Sequence, residues 1–194
     1  MSKPVARCPW PTGDDQLYLK YHDEEWGVPV HDDRKIYEFL VLEAFQAGLS
    51  WRIVLYKRAA FRKAFAEFDV RRVARFGAGD VTRLLSDAGI IRNRQKILAA
   101  INNANRFLAV QKEFGTFAAY MWSWVGHRPL VHRFRKLQDY PPYTDEAVTW
   151  AKDLKRRGFS FLGPTVVYAH MQAVGMVNDH TVNCFRYSRL RQYE

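Results

Sequence analysis

The chain has 194 residues, 48% of them hydrophobic, enough to fill one core or two small helical lobes that share one. Thirty Lys and Arg against twenty Asp and Glu leave a net charge of +10, which suits either a polyanionic partner or a solvated basic surface. No stretch approaches the roughly 18 apolar residues of a membrane span, and the N-terminal residues hold no apolar run of signal-peptide length, so the cytoplasm is the expected location.

Helical periodicity covers most of the chain and no long alternating pattern interrupts it, so the expected fold class is all-α, in a single domain over 1–194. Asp14 and Asp15 can start a first helix carrying Leu17, Tyr18, Tyr21 and His22, and Asp32 a second with Ile36, Phe39, Leu40, Glu43 and Ala47 on one face. Ser50 caps a third helix from Trp51 to about Phe65. Further starts are expected at Asp69, at Asp80 and near Arg92, where Ile97, Ile101, Ala104 and Leu108 form a helical stripe. Thr116 and Thr144 read as later N-caps, the second followed by Asp145 and Glu146, where the helix dipole favours acids. Between them, Pro129, Pro141 and Pro142 mark residues 126–143 as a loop or lobe boundary. Trp122 and Trp124 are expected in the core, and the arginine-rich stretch from Arg186 to Arg191 as a solvated tail.

Three constellations carry chemistry. Cys8 and Cys184 lie near opposite ends of the chain, each with a histidine close by, His22 and His180. His180 and Cys184 fall one helical turn apart, so the four can form a closed tetrahedral site that ties the ends together, a structural role rather than a catalytic one. The alternative is two buried thiols beside unrelated histidines. No Cys-x-x-Cys of the zinc deaminases is present. Glu43, on an apolar helical stripe, is costly to bury unless it binds donors. It precedes the turn Gly48-Leu49-Ser50 and the indole of Trp51, so it can recognise a nucleobase beside an aromatic wall, or it can be a structural acid that caps a helix or pairs with an arginine. Finally, Lys155 to Tyr168 reads as a basic helix end, a turn and a helix opened by Pro164: a helix-hairpin-helix near 147–175, or an ordinary αα corner. Such a hairpin aims backbone N–H groups, at Gly163 and Thr165, toward one phosphate.

The order and spacing of Arg7-Cys8-x-Trp10, Tyr21-His22-Asp23-x-Glu25-Trp26-Gly27-Val28-Pro29, Leu42-Glu43, Gln46-Ala47-Gly48-Leu49-Ser50-Trp51, Asp87-Ala88-Gly89-Ile90-Ile91-Arg92 and Val177-Asn178-Asp179-His180 with Cys184 resembles the 3-methyladenine DNA glycosylase I family. That family belongs to the helix-hairpin-helix glycosylase superfamily, and the likeness spans nearly the whole chain. It implies one structural zinc on Cys8, His22, His180 and Cys184. It implies a pocket for an extruded base formed by Glu43 and Trp51 with Trp10, Tyr18 and Tyr21, Glu43 being the catalytic-site carboxylate. It implies that the turn at Gly48 and Leu49 fills the gap left in double-stranded alkylated DNA, that the hairpin holds the backbone, and that the enzyme is a monomeric, monofunctional hydrolase, since Thr165 stands where lyase members carry a lysine. The chain departs from the pattern in its hairpin, which lacks the usual two glycines, and at Ala44-Phe45, where Phe45 is expected to reshape the pocket edge. Asp179 resembles the superfamily's catalytic Asp superficially, but adjoins His180. The competing readings are a zinc-stabilised DNA-binding module without activity, and a glycosylase that also releases lesions such as 3-methylguanine.

Overall fold

The computed structural model describes residues 5–11 and 13–193. Side-chain caps set most helix starts. Asp15 accepts from the backbone N–H of Tyr18 to open α1 (Gln16–Glu24), and Asp32 from that of Lys35 to open α2 (Asp33–Gln46). Ser50 opens α3 (Trp51–Ala64), Asp69 the short α4 (Val70–Val73) and Asn93 the long α6 (Arg94–Phe114). Thr116 and Thr144 cap α7 (Phe117–Ser123) and α8 (Asp145–Arg156), as expected. Between α4 and α6, α5 (Ala78–Ser86) has Gly77 as its N-cap, not Asp80. Asp80 sits one turn in and accepts the Gly77 N–H at 3.1 Å, so the acid expected to be the cap reaches back to it instead.

Every residue of α2 from Ile36 to Phe45 is buried, because α3, α6, α7 and α9 (Pro164–Ala173) pack around it. Burying a helix on all sides makes its polar residues conspicuous. Glu38 is paired with Arg58 and Arg62 at 2.8 and 2.7 Å, and Arg58 also holds Glu25, which joins α3 to α1 and α2. At the N-terminus of α7, Asp33 accepts from the backbone N–H groups of Phe117 and Ala118.

The segment Gly27-Val28-Pro29 crosses the end of α9 at close range. Gly27 donates to the Gln172 carbonyl and Val30 to that of Val174, and a Cβ added to Gly175 would lie 2.4 Å from Pro29 N. Trp122 is buried and its indole donates to the Val30 carbonyl, while Trp124 is half-buried.

Two findings modify an all-helical reading. Leu130–Val131 (β1) pairs in parallel with Val177–Asn178 (β2), each two residues long, and this pins the 126–143 connection to the C-terminal segment. The arginine-rich stretch is not a tail: Phe185–Leu190 forms α10, which buries Leu190.

Candidate functional site

A cavity of about 290 Å³ opens between α1, α2, α3, α9 and the 132–143 segment. Trp10, Tyr18, Tyr21, Glu43 and Trp51 all line it, so the structure brings together every residue expected at a base pocket. The rings form one wall: Trp10 meets Tyr18 edge-on at 5.1 Å between centroids, and Tyr21 lies 5.2 Å from Trp51. Behind Trp51, Phe39 is stacked at 6.4 Å, and the Arg58 guanidinium covers Phe39 at 5.0 Å, which holds the indole in place.

Glu43 is 4% exposed, and its Oε2 has no hydrogen-bond partner among the described residues. Among the described residues no arginine pairs with it and it caps no helix. Burial pushes its carboxyl up to about 8. An unpaired acceptor facing an aromatic cavity is poised for a ligand that brings donors or positive charge. Phe45, in contrast, does not reach the pocket edge: it is fully buried against Phe61 and Phe65, at 4.9 and 5.8 Å.

The opposite wall was not expected. Tyr168 and Gln172, one turn apart on α9, line the cavity with Tyr140. Asp179 organises all three. Its Oδ2 accepts from the Tyr168 hydroxyl at 2.5 Å and the Gln172 amide at 2.7 Å, its backbone carbonyl accepts from the Tyr140 hydroxyl at 2.8 Å, and Oδ1 lies 2.5 Å from His132 Nδ1. Fully buried and engaged on both oxygens, Asp179 is a scaffold for the wall. The available signal was a polar-tipped pair at i and i+4 on an apolar helix, the same kind of signal that singled out Glu43.

At the cavity's edge, Gln46 to Leu49 make a type II turn: Ala47 has φ −46° and ψ 117°, Gly48 has φ 81°, and Leu49 N–H donates to Gln46 O at 2.6 Å. Glycine is required at the third position of that turn. It leaves Leu49 40% exposed. On the other side, α8 leads through Gly158 to α9, whose N-cap Gly163 is exposed and extended, and Thr165 lines the cavity. Asn103 on α6 fastens the connection through Ser160 N–H and C=O, at 2.8 and 2.9 Å. Both Gly158, with φ 87°, and Phe161, with φ 59°, take the left-handed backbone in this connection.

Cys8, His22, His180 and Cys184 converge, all buried, with ligand atoms within 4.8 Å of one another. Their arrival differs from the expected one: His180 and Cys184 lie not on a helix but across a turn, Cys184 N–H donating to Thr181 O at 2.7 Å just before α10. The His180 Nδ1 is 3.4 Å from both sulfurs, and the His22 Nε2 is 3.6 Å from Cys184 Sγ. The other ring nitrogens are engaged as a metal ligand's are, His22 Nδ1 with Asp23 at 2.7 Å and His180 Nε2 with the Trp26 carbonyl at 3.0 Å. Arg7 in turn holds Asp23. The cluster can bind a metal ion, and it joins the first described residues to the last helix.

A family model described as methyladenine glycosylase matches residues 10–187. The chain is 46% identical over 183 residues to DNA-3-methyladenine glycosylase 1 of Escherichia coli (strain K12), covering 94% of this chain and 97% of that one. It is 42% identical over 180 residues to DNA-3-methyladenine glycosylase of Haemophilus influenzae (strain ATCC 51907 / DSM 11121 / KW20 / Rd), covering 93% and 97%. Among solved structures it is similar to 3-methyladenine DNA glycosylase I (TM-score 0.89, 47% identity, 93% and 98% covered) and to that of Staphylococcus aureus, described as the basis of 3-methyladenine recognition (TM-score 0.89, 35% identity, 93% and 96% covered). A third, a tyrosine-to-phenylalanine variant of 3-methyladenine DNA glycosylase I in complex with 3-methyladenine, has a TM-score of 0.90 at 34% identity, with 93% and 97% covered.

Proposed function

The chain belongs to the methyladenine glycosylase family, and from that premise we infer that it excises 3-methyladenine from DNA by cleaving the N-glycosidic bond. The observation that carries this to the chain's own residues is the unpartnered Glu43 carboxylate facing the Trp10, Tyr18, Tyr21 and Trp51 rings.

Methylation at N3 gives adenine a positive charge in DNA and makes it a good leaving group, so the site needs to hold, desolvate and select the base rather than protonate it. Electron-rich indole and phenol faces favour the charged ring over normal adenine. Glu43, held neutral by its surroundings when the pocket is empty, ionises beside the cationic base and accepts its N–H donors. Its role is recognition and electrostatic stabilisation of the departing base, with water attacking C1′ as the bond breaks. Thr165 contributes a hydroxyl, not an amine, which supports hydrolysis to an abasic site without a lyase step.

The base reaches this pocket by extrusion from double-stranded alkylated DNA. The exposed Leu49, raised by the type II turn, fills the gap in the stack, an apolar wedge beside the cavity mouth. The α8–α9 connection serves as the helix-hairpin-helix that holds the backbone: Gly163, with no side chain, and Thr165 lie at the helix start, where N–H groups meet phosphate. In a tetrahedral Cys2His2 zinc site, sulfur and nitrogen ligands lie about 3.6 Å apart, and the observed 3.4 to 3.6 Å fits that donor set. One zinc held there by Cys8, His22, His180 and Cys184 would be structural and would keep the first described segment joined to the C-terminal one. The unit acts as a single-domain monomer.

Methylated DNA incubated with the protein tests this. Release of 3-methyladenine, weakened in Glu43→Gln and Trp51→Ala, is expected; no released base from folded protein overturns it, and comparable release of 3-methylguanine moves the lesion range.

A further inference from the structure

Lys96 lies in the first turn of α6, away from the cavity lining, yet it is only 7% exposed. Burying an ammonium group is costly unless its N–H groups find acceptors. Its Nζ donates to two backbone carbonyls at the end of α2, Phe45 at 2.9 Å and Ala47 at 2.6 Å.

The second of these is decisive. In the type II turn of Gln46 to Leu49, the Ala47–Gly48 peptide is the one whose orientation separates a type II from a type I turn: rotating it by about half a revolution changes ψ of the second residue and φ of the third while the outer hydrogen bond survives. The turn's own bond, Leu49 N–H to Gln46 O, therefore does not choose between the two. The Lys96 bond to Ala47 O does. A cation at a helix C-terminus also opposes the partial negative charge of the last carbonyls, one of which is Phe45 O.

The geometry points to Lys96 as a positioning residue for extrusion: it locks the central peptide of the turn, and so fixes the direction in which Leu49 enters the duplex. This rests on the reading of Leu49 as the wedge. The α6 N-terminus thereby sets the wedge although Lys96 is not among the residues that line the cavity. Lys57 makes a similar pair of bonds on α3, to the Ala88 and Gly89 carbonyls, so lysine clamps hold two of the motif turns, and one of them carries the wedge.

The test compares Lys96→Met, Lys96→Gln, Leu49→Ala and Lys96→Met/Leu49→Ala on two readouts: single-turnover 3-methyladenine release from methylated duplex DNA, and binding of free 3-methyladenine followed by tryptophan fluorescence. Lys96→Met and Lys96→Gln are expected to slow duplex release by on the order of tenfold to a hundredfold, as a misplaced contact does. Free-base binding should be unchanged in both, and adding Lys96→Met to Leu49→Ala should cost nothing further. Free-base binding that falls as far as duplex release would show that Lys96 supports the pocket or the fold, and overturns the assignment. So does a full Lys96 effect in the Leu49→Ala background. If Leu49→Ala itself releases base from duplex at the normal rate, the wedge reading fails and the inference fails with it; a slow Leu49→Ala with a normal Lys96→Met overturns the inference alone.

Discussion

The His180 Nε2 lies 3.0 Å from the backbone carbonyl of Trp26, which leaves Nδ1 to face the sulfurs of Cys8 and Cys184. Trp26 also lines the cavity, so the Cys/His cluster and the cavity share a wall. That contact holds the ring's tautomer and direction.

The His22 ring has the same kind of support from Asp23, itself held by Arg7. Purified protein is expected to contain one zinc per chain, and Asp23→Asn to weaken its retention by about 10- to 100-fold in a competition with a chelator. Stripping the metal should lower the unfolding temperature. A metal content near zero in active, stable protein would overturn the site.

Glu43 gives a pH signature. Its carboxyl is raised by burial from 4.5 to about 8, so between those values the folded chain holds a proton that the unfolded chain has released. Stability from this group is full below about pH 4.5 and is lost as pH rises to about 8, a change on the order of a few kcal/mol. The unfolding temperature of Glu43→Gln relative to the natural protein should therefore rise across this window. Capture of a cationic base needs the ionised form, so kcat/KM on methylated DNA should climb with pH toward 8, a limb missing in Glu43→Gln. A stability difference that stays flat from pH 5 to 9 would mean that the carboxyl is already ionised.

Replacing Asp179 with alanine leaves the Tyr168 hydroxyl and the Gln172 amide without their shared acceptor. Losing the acceptor of the buried Tyr168 hydroxyl and of the half-buried Gln172 amide costs on the order of 3 kcal/mol together. The denaturant midpoint should drop accordingly, and binding of free 3-methyladenine should weaken because the second wall loosens. Unchanged binding in the folded variant would confine Asp179 to stability.

Gly175→Ala tests the close crossing that the Gly27-Val28-Pro29 segment makes over α9. The new Cβ would sit 2.4 Å from Pro29 N and Val28 C, on a backbone with φ 73°. Both atoms belong to backbone, which cannot step aside. A loss of about 1–3 kcal/mol or more is expected in chemical denaturation, against near neutrality at Gly79, where an added Cβ meets nothing within 4 Å.

Caps were legible because capping is a local contest between one side chain and the next turn of backbone: Asp15, Asp32, Ser50, Asp69, Thr116 and Thr144 all open the helices expected of them. Asp80 misled for a related reason, since an acid at the third helical position leaves the same local mark as one at the cap. Glu43 was legible because a charge on an apolar stripe contradicts its surroundings, and the buried Cys8, His22, His180 and Cys184 cluster because two cysteines and two histidines stood toward the chain's two ends. Their family order made the activity readable.

Lys96, His132, Tyr140 and the scaffold role of Asp179 were not legible, and neither were the parallel pairing of Leu130–Val131 with Val177–Asn178 and the helix formed by Phe185–Leu190. Each depends on a partner far away in the chain. A lysine in the first turn of a helix reads as solvated until Ala47 O is placed against it, and Asp179, noticed in the sequence only for its likeness to a catalytic acid, shows its part in the wall only once Tyr140, Tyr168 and Gln172 are placed around it. The sequence alone determined the residue types, the local helix starts and the chemistry they permit. Tertiary structure decided which buried polar groups have partners and which, like Glu43 Oε2, are left open, because burial and hydrogen-bond pairing are properties of distant segments brought together.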